Sequence, residues 1–288
     1  MSADQFSRRE ARHWALTSPH QQSQVDVLIP TKDRPNALAV TLAGLAAQND
    51  PPFRVIISDQ STEPVQDDNV VSTLVRLLTV QGRRVDVLRH VPARGMAEQR
   101  AFLLQASTSR HVLFLDDDVW LEPDMLQRLD RALDELGCGL VGAAVQGLSY
   151  IDDRRPNELT QFQPWQGGVK PERVRRGSAE FDRFKLHNAA NLTHIAADLG
   201  LERDEWLPYK IAWVGACVMF RRQALVDVGG FDFWRELPAT HVGEDVVAQW
   251  RVIERYGGAG IVPSGAVHLE ASTTLPDRRV EASDVVGL

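Results

Sequence analysis

The sequence predicts an α/β fold with a mostly parallel central sheet flanked by helices, and three observations carry that prediction. From Val25 to Val145, short apolar runs alternate with segments of helical spacing, the pattern of strand–helix units wound into a parallel sheet. One run, Val112 to Leu115, leads straight into Asp116, Asp117 and Asp118. Such a run fits a buried parallel strand that ends where its carboxylates begin, and open parallel sheets bind ligands beyond the carboxyl ends of their strands. After Gln146 the alternation stops, and from Gly147 to Pro208 periodicity is weak.

The elements follow in order. Val25 to Pro30 (VDVLIP) is the first strand, stopped by proline. Leu38, Leu42 and Leu45 then mark a helix, with Pro35 suited to its first turn. No G-x-G-x-x-G lies between them, which argues against a dinucleotide site. Phe53 to Ser58 is a second strand ending at Asp59, which reads equally as a turn residue or a ligand contact. Asn69 to Val80 is helical, and Arg84 to Arg89 is a third strand. A loop carrying Arg94 and Gly95 opens the next helix, which carries Arg100; an anion is welcome at a helix start, although surface arginines are usually only solvated.

The strand at Val112 is followed by a helix over Pro123 to Leu136 and a fifth strand, Gly139 to Val145. The irregular stretch then carries several prolines, the cluster Arg173, Arg175 and Arg176, and Trp165, His187, His194 and Trp206, with Tyr209 just beyond it. A long irregular segment in a compact protein is usually a binding loop or partly mobile. Its aromatic rings read evenly as sugar-stacking or as anchors for the loop. The two histidines have no partner at metal-ligand spacing and read as structural.

Order returns with a strand at Ile211 to Arg222, a short helix at Ala224 to Val228, and a helix beginning at Glu244 and ended by Gly257. Glu244 and Asp245 occupy its first turn, where carboxylates complement the helix dipole; catalysis would require one of them to face the cleft. Gly260 to Val262 and Ala266 to Leu269 close the pattern as short strands, with His268 near an end.

Composition bounds the function. The net charge of −7 and pI near 5.6 argue against nucleic acid as the main partner, so an anionic ligand must be held locally. Two cysteines, Cys138 and Cys217, are too few for a disulfide framework. The N-terminus lacks the apolar core of a signal peptide, and no apolar run approaches a membrane span. The expected location is cytoplasmic, with peripheral contact to anionic lipid through Arg8, Arg9 and Arg12 as the lesser reading. Three adjacent carboxylates repel unless compensated. Capping of the next helix, which starts near Glu122, Pro123 and Asp124, accounts for one or two of them; a hard divalent metal sharing phosphate oxygens accounts for the run.

In order along the chain, VDVLIPTKDRP, IISDQST, FLDDDVWLEPDML and GACVMFRRQAL…GGFD…GEDVVAQWR…VPSGAVH resemble the GT-A-fold nucleotide-sugar glycosyltransferases, in particular inverting family 2. The resemblance runs from Val25 to His268. It implies a Rossmann-like GT-A domain over 25–270, with a nucleotide-binding half (25–146), an irregular acceptor-side insertion (147–210) and an acceptor or catalytic half (211–270), between a polar leader (1–24) and a tail (271–288). It also implies site roles. Asp59 would bond the nucleobase, with Thr31, Arg34, Arg94 and Arg100 lining the donor site. Asp116 or Asp117 would contact the ribose or a metal-bound water. Asp118 would bind Mn²⁺ or Mg²⁺ between the two phosphates, with His268 as second ligand and Asp116 as a further candidate. Asp245 would be the general base, Glu244 beside it. Ala101 and Val247 depart from the family pattern, where Asn and Asp are frequent.

The implied activity is metal-dependent, inverting transfer of a single sugar from a UDP-, GDP- or dTDP-sugar to the hydroxyl of a glycan, a lipid-linked sugar or a small molecule. The alternatives are a catalytically inactive sugar-nucleotide-binding protein or a haloacid-dehalogenase-like phosphatase. The phosphatase motif normally closes the first strand and is followed by a small hydroxyl residue, whereas here it closes the fourth and Trp120 stands in that place.

Overall fold

The computed structural model describes residues 22–202, 204–273 and 278–288. The basic leader with Arg8, Arg9 and Arg12 lies outside the described residues. The first half builds as β1 (Val25–Thr31), α1 (Pro35–Ala46), β2 (Phe53–Asp59), α2 (Asn69–Val80), β3 (Val85–Arg89), α3 (Met96–Ala106), β4 (His111–Leu115), β5 (Val119–Leu121), α4 (Met125–Leu136) and β6 (Leu140–Gly142). The second half adds α5 (Pro156–Leu159), α6 (Asn191–Leu199), β7 (Leu207–Tyr209), β8 (Cys217–Arg221), α7 (Arg222–Asp227), α8 (Glu244–Tyr256), β9 (Gly258–Val262), β10 (Ala266–His268) and α9 (Ala282–Val285).

Among the described residues, the main sheet has the order β3-β2-β1-β4-β8-β6-β9-β7, and β5 and β10 form a separate pair. β3, β2, β1 and β4 are mutually parallel. β8 runs antiparallel between β4 and β6, and β7 runs antiparallel on β9 at the edge. The sheet is therefore mostly parallel, with two reversed strands. Both faces are covered, as side-chain alternation along a strand requires. Leu28, Ile56 and Phe114 join Phe220, Leu225 and Trp250 on one face; Val27, Ile29 and Leu113 join Leu42, Leu129 and Leu133 on the other.

Several boundaries differ from the sequence reading. The strand read from Ile211 begins at Cys217, because Ala216 takes a left-handed backbone (φ 66°) and the preceding residues turn along the cleft. The helix read from Pro123 starts at Met125, after Asp124 at φ 68°. The fifth strand shrinks to three residues. The insertion is more ordered than its sequence suggests. It carries α5, α6 and two 3₁₀ turns, and Val174, Leu186 and Leu192 are fully buried in the core. Its end, β7, seats Tyr209 directly over Gly260, where a Cβ would lie 2.3 Å from the ring. The aromatic side chains include loop anchors: Trp165 donates its indole N–H to the Gly258 carbonyl at 3.3 Å. His187 is structural, bonded to the Tyr209 hydroxyl at 2.9 Å and pushed down to about 4 by burial. The segment after His268 returns to the body: Val242 N–H donates to Val280 O at 3.0 Å and Ala282 N–H to Val242 O at 2.8 Å.

Candidate active site

The carboxyl ends of β1 and β4, the start of α3, the start of α8 and the residues after β10 enclose a cleft of about 470 Å³. Arg34, Met96, Arg100, Asp116, Asp118, Glu244, Asp245, His268 and Arg278 line it.

The three aspartates face different ways. Asp117 turns inward, with 1% of its side chain exposed. It accepts from the Thr31 hydroxyl at 2.7 Å and pairs with Arg34. Burial pushes its carboxyl up to about 6 against the pull of Arg34 and Thr31. Asp117 thus braces the β1–α1 loop, and of the two aspartates considered for ribose contact it is Asp116, with 30% of its side chain exposed, that lines the cleft. Asp118 also lines it and accepts from Arg34 at 2.9 Å. Thr31 and Arg34, read as donor-site residues, spend these contacts on carboxylates of the β4 edge.

Arg100 spans the cleft floor. Its Nε donates to Glu244 at 3.0 Å and its Nη2 to Asp116 at 3.0 Å, while the guanidinium lies over the Phe114 ring. Burial alone would lower its pKa, but Asp116, Glu244 and Asp245 outweigh that and raise it. Asp116 is raised, by burial first, with Arg100 opposing. Glu244 is therefore committed to an ion pair. Asp245, its neighbour in the same first turn, is half-buried and makes no ion pair among the described residues. Burial, then repulsion from Glu244, raises Asp245 to about 7 against Arg100. A carboxylate poised near neutrality in a cleft is suited to taking a proton.

His268 reaches the triple-aspartate edge through the small sheet. In the β5–β10 pair His268 stands opposite Val119, and Leu269 N–H donates to Asp118 O at 2.9 Å. The His268 Nε2 lies 3.6 Å from Asp118 Oδ2. Among the described residues no cluster of three or more His, Cys, Asp or Glu stands ready to hold a metal. The donor set nonetheless fits a hard divalent ion that takes most of its ligands from phosphate and water, with one carboxylate and one imidazole from the protein. One condition attaches. The Nδ1 of His268 accepts from Glu270 N–H at 2.9 Å, which places the neutral ring's proton on Nε2; ligation through Nε2 requires the other tautomer, with the proton on Nδ1 and the Glu270 contact given up.

The remaining predicted residues lie elsewhere. Asp59 is buried beneath the β2 end, accepting from Ser61 N–H at 2.8 Å, Val65 N–H at 3.0 Å and Arg89 at 3.1 Å. Arg94 is exposed and does not line the cleft. Residues that the sequence did not single out include Gln249, whose amide bonds both the N–H and the C=O of Val214 at 2.8 Å and holds α8 against the cleft floor. Arg278 is another, brought to the rim by the returning C-terminal segment. Gln249 lies within the GEDVVAQWR stretch but was given no role there, and Arg278 lies outside the quoted stretches; only the tertiary fold brings them here.

The model of glycosyl transferase family 2 matches residues 26–228. The chain belongs to that family. A curated relative, the pre-mycofactocin glycosyltransferase of Mycobacterium tuberculosis, is 26% identical over 258 residues, covering 88% of this chain and 44% of the relative. The chain thus spans less than half the length of that relative. Among solved structures, S. aureus TarS 1-349 in complex with UDP-GlcNAc aligns with a TM-score of 0.53 at 15% identity, over 88% of this chain and 60% of that one. The mannosyltransferase PcManGT from Pyrobaculum calidifontis, in complex with GDP-Man and Mn²⁺, aligns with a TM-score of 0.54 at 17% identity, over 92% of this chain and 64% of that one. These structures share the α/β fold with its mostly parallel sheet. The family match stops before α8 and β10, so the placement of Glu244, Asp245 and His268 stands on geometry alone.

Proposed function

We propose that the protein transfers a single sugar from a nucleoside-diphosphate sugar to an acceptor hydroxyl, inverting the anomeric centre, with Mn²⁺ or Mg²⁺ at Asp118 and His268. The observation that carries this is the division of labour across one cleft. Asp118 and His268 stand at the β4 edge, and Asp245, raised to about 7, stands at the start of α8 with no ion pair among the described residues. The bound metal would supply Lewis-acid neutralisation of the departing diphosphate. Asp118 would hold that end of the donor, and Asp116, exposed beside it, would meet the ribose or a water in the same sphere. Arg100 would keep Glu244 and Asp116 fixed and compensated, leaving Asp245 as the carboxylate able to accept the hydroxyl proton as the acceptor attacks from the opposite side of the sugar. Asp59 and Arg89 sit together beneath the ends of β2 and β3, where a nucleobase would be read. Family membership and the sugar-nucleotide complexes of the structural relatives support this reading.

The test is a panel of UDP-, GDP- and dTDP-sugars assayed with and without Mn²⁺. Metal-dependent release of a nucleoside diphosphate is the expected result. Release of inorganic phosphate from phosphomonoesters, or tight binding with no turnover of any donor, would overturn it. Among the described residues no helix is long and apolar enough to cross a membrane.

A further inference from the structure

The cleft wall carrying Arg100 and the wall carrying Asp245 come from distant parts of the chain, and their register decides where Arg100 lies. α3 starts after Gly95 with no side-chain cap from its own residues, which leaves its first N–H groups in want of acceptors. One acceptor comes from the other wall: Ala97 N–H donates to His241 Nε2 at 3.1 Å. The same ring donates from Nδ1 to the Pro238 carbonyl at 2.7 Å, and His241 is 1% exposed. A ring that donates at Nδ1 and accepts at Nε2 is neutral and fixed in one tautomer; an imidazolium would set N–H against N–H. The fit is close enough to require glycine opposite. At Gly95 (φ 108°) a Cβ would lie 2.7 Å from His241 Cε1 and 2.8 Å from the Ala239 carbonyl oxygen. His241 also precedes Glu244 by a single short turn, so the residue that caps α3 leads directly into the base-bearing start of α8. On its other side α3 is tied to β2 by Gln99, which donates to the Ser58 carbonyl at 2.8 Å.

We propose that His241 is a positioning residue that locks the start of α3 to the start of α8, so that Arg100 meets Glu244 and Asp116 together and Asp245 keeps its place over the reacting centre. The kinetic part of this proposal rests on the transferase reading above. Asp118, the carboxylate read as holding the metal and diphosphate, lies in the turn between β4 and β5 and is held by Arg34 rather than through this lock, so loss of the lock acts on turnover more than on donor affinity.

The experiment has a kinetic arm and a structural arm. In the kinetic arm, His241→Ala and, independently, Gly95→Ala are compared with wild type using folded, purified protein. The expected result is a fall in kcat of about tenfold or more with the donor KM within about twofold. His241→Gln, which keeps an acceptor for Ala97 N–H, should recover much of the loss. In an Arg100→Met background His241→Ala should cost less than about twofold, because the guanidinium it positions is gone. Equal losses in both backgrounds, or a donor KM that rises while kcat holds, would overturn the proposal. In the structural arm, nitrogen NMR of His241 should show the Nδ1–H tautomer, and hydrogen exchange at Ala97 should speed up at least about tenfold in His241→Ala. An Nε2–H tautomer or unchanged exchange would overturn the lock whatever the catalytic result. A wild-type protein that turns over no nucleotide sugar would overturn the transferase reading and leave the structural arm to decide the lock.

Discussion

Glu244 and Asp245 are adjacent in one helical turn, yet their surroundings assign them different work. Arg100 neutralises Glu244 at 3.0 Å, while Asp245 is left with burial and a like charge, both of which favour its protonated form. Asp245→Asn should therefore lower kcat by about 10²- to 10⁴-fold with the donor KM nearly unchanged; steady-state kinetics showing retained turnover would remove Asp245 as the base. The same residue makes a stability prediction. Its folded pKa, raised to about 7, stands above an unfolded value of about 3.9. Its stabilising contribution is thus complete below the unfolded value and is lost as pH rises through 7. Asp245→Asn removes that loss, so the variant should gain about 1–2 kcal/mol on wild type between pH 5 and pH 8 by urea unfolding, and a gap independent of pH would contradict the assignment. Asp118→Asn should weaken metal-dependent donor binding by about tenfold or more, which calorimetry with and without Mn²⁺ would read. The aspartate run was plain in the sequence, as was the acidic pair. What the sequence lacked was direction: Asp117 turns under the β1–α1 loop while Asp116 lines the cleft, and only Arg34, Thr31 and Arg100, distant in sequence, reveal which is which.

At the scale of elements, the strands and helices up to β6 were legible, the three-residue β5 excepted, because each has a clean period or a punctuating residue, such as Pro35 at the start of α1 or Asp68 capping α2. The direction of β8 was not, since an apolar strand carries no local mark of whether its neighbours run with it or against it; here it slots antiparallel between β4 and β6. The order within the insertion was not legible for a related reason. Val174 reaches the core from a loop, Leu186 from a 3₁₀ turn, and Leu192 and Ile195 from α6, so no single spacing runs through them. Their burial makes this segment part of the fold. Leu186→Ala should cost about 2–4 kcal/mol, read as a lower urea midpoint with an unchanged slope. A cost below about 0.5 kcal/mol would mean that the segment is a detachable loop. β10 shows how a three-residue strand places a side chain at the cleft, because its pairing with β5 sets His268 beside Asp118.

For the molecule as a whole, an acidic chain with a net charge of −7 is read as binding one of the most anionic small ligands in a cell, and its cleft sharpens the conflict. Asp116, Asp118, Glu244 and Asp245 face the cleft, while Arg34 and Arg100 are already engaged by carboxylates. A nucleoside diphosphate arriving alone meets these carboxylates with Arg278 at the rim as the further cation. A divalent ion arriving alone finds Asp118 and His268 without the phosphate oxygens that would fill its sphere, and His268 must move its proton to Nδ1 before Nε2 can ligate. Each ligand supplies what the other lacks, so their binding should be cooperative. In thermal unfolding, saturating Mn²⁺ or nucleoside diphosphate alone should shift Tm by less than about 2 °C. Both together, each near a hundred times its joint dissociation constant, should add at least about 2.7 kcal/mol, a shift of about 5 °C or more for a chain of this size, reversed by a chelator. Shifts that simply add would mean that metal and diphosphate bind at independent places, and the triple-aspartate edge would then have to be explained without a shared ion.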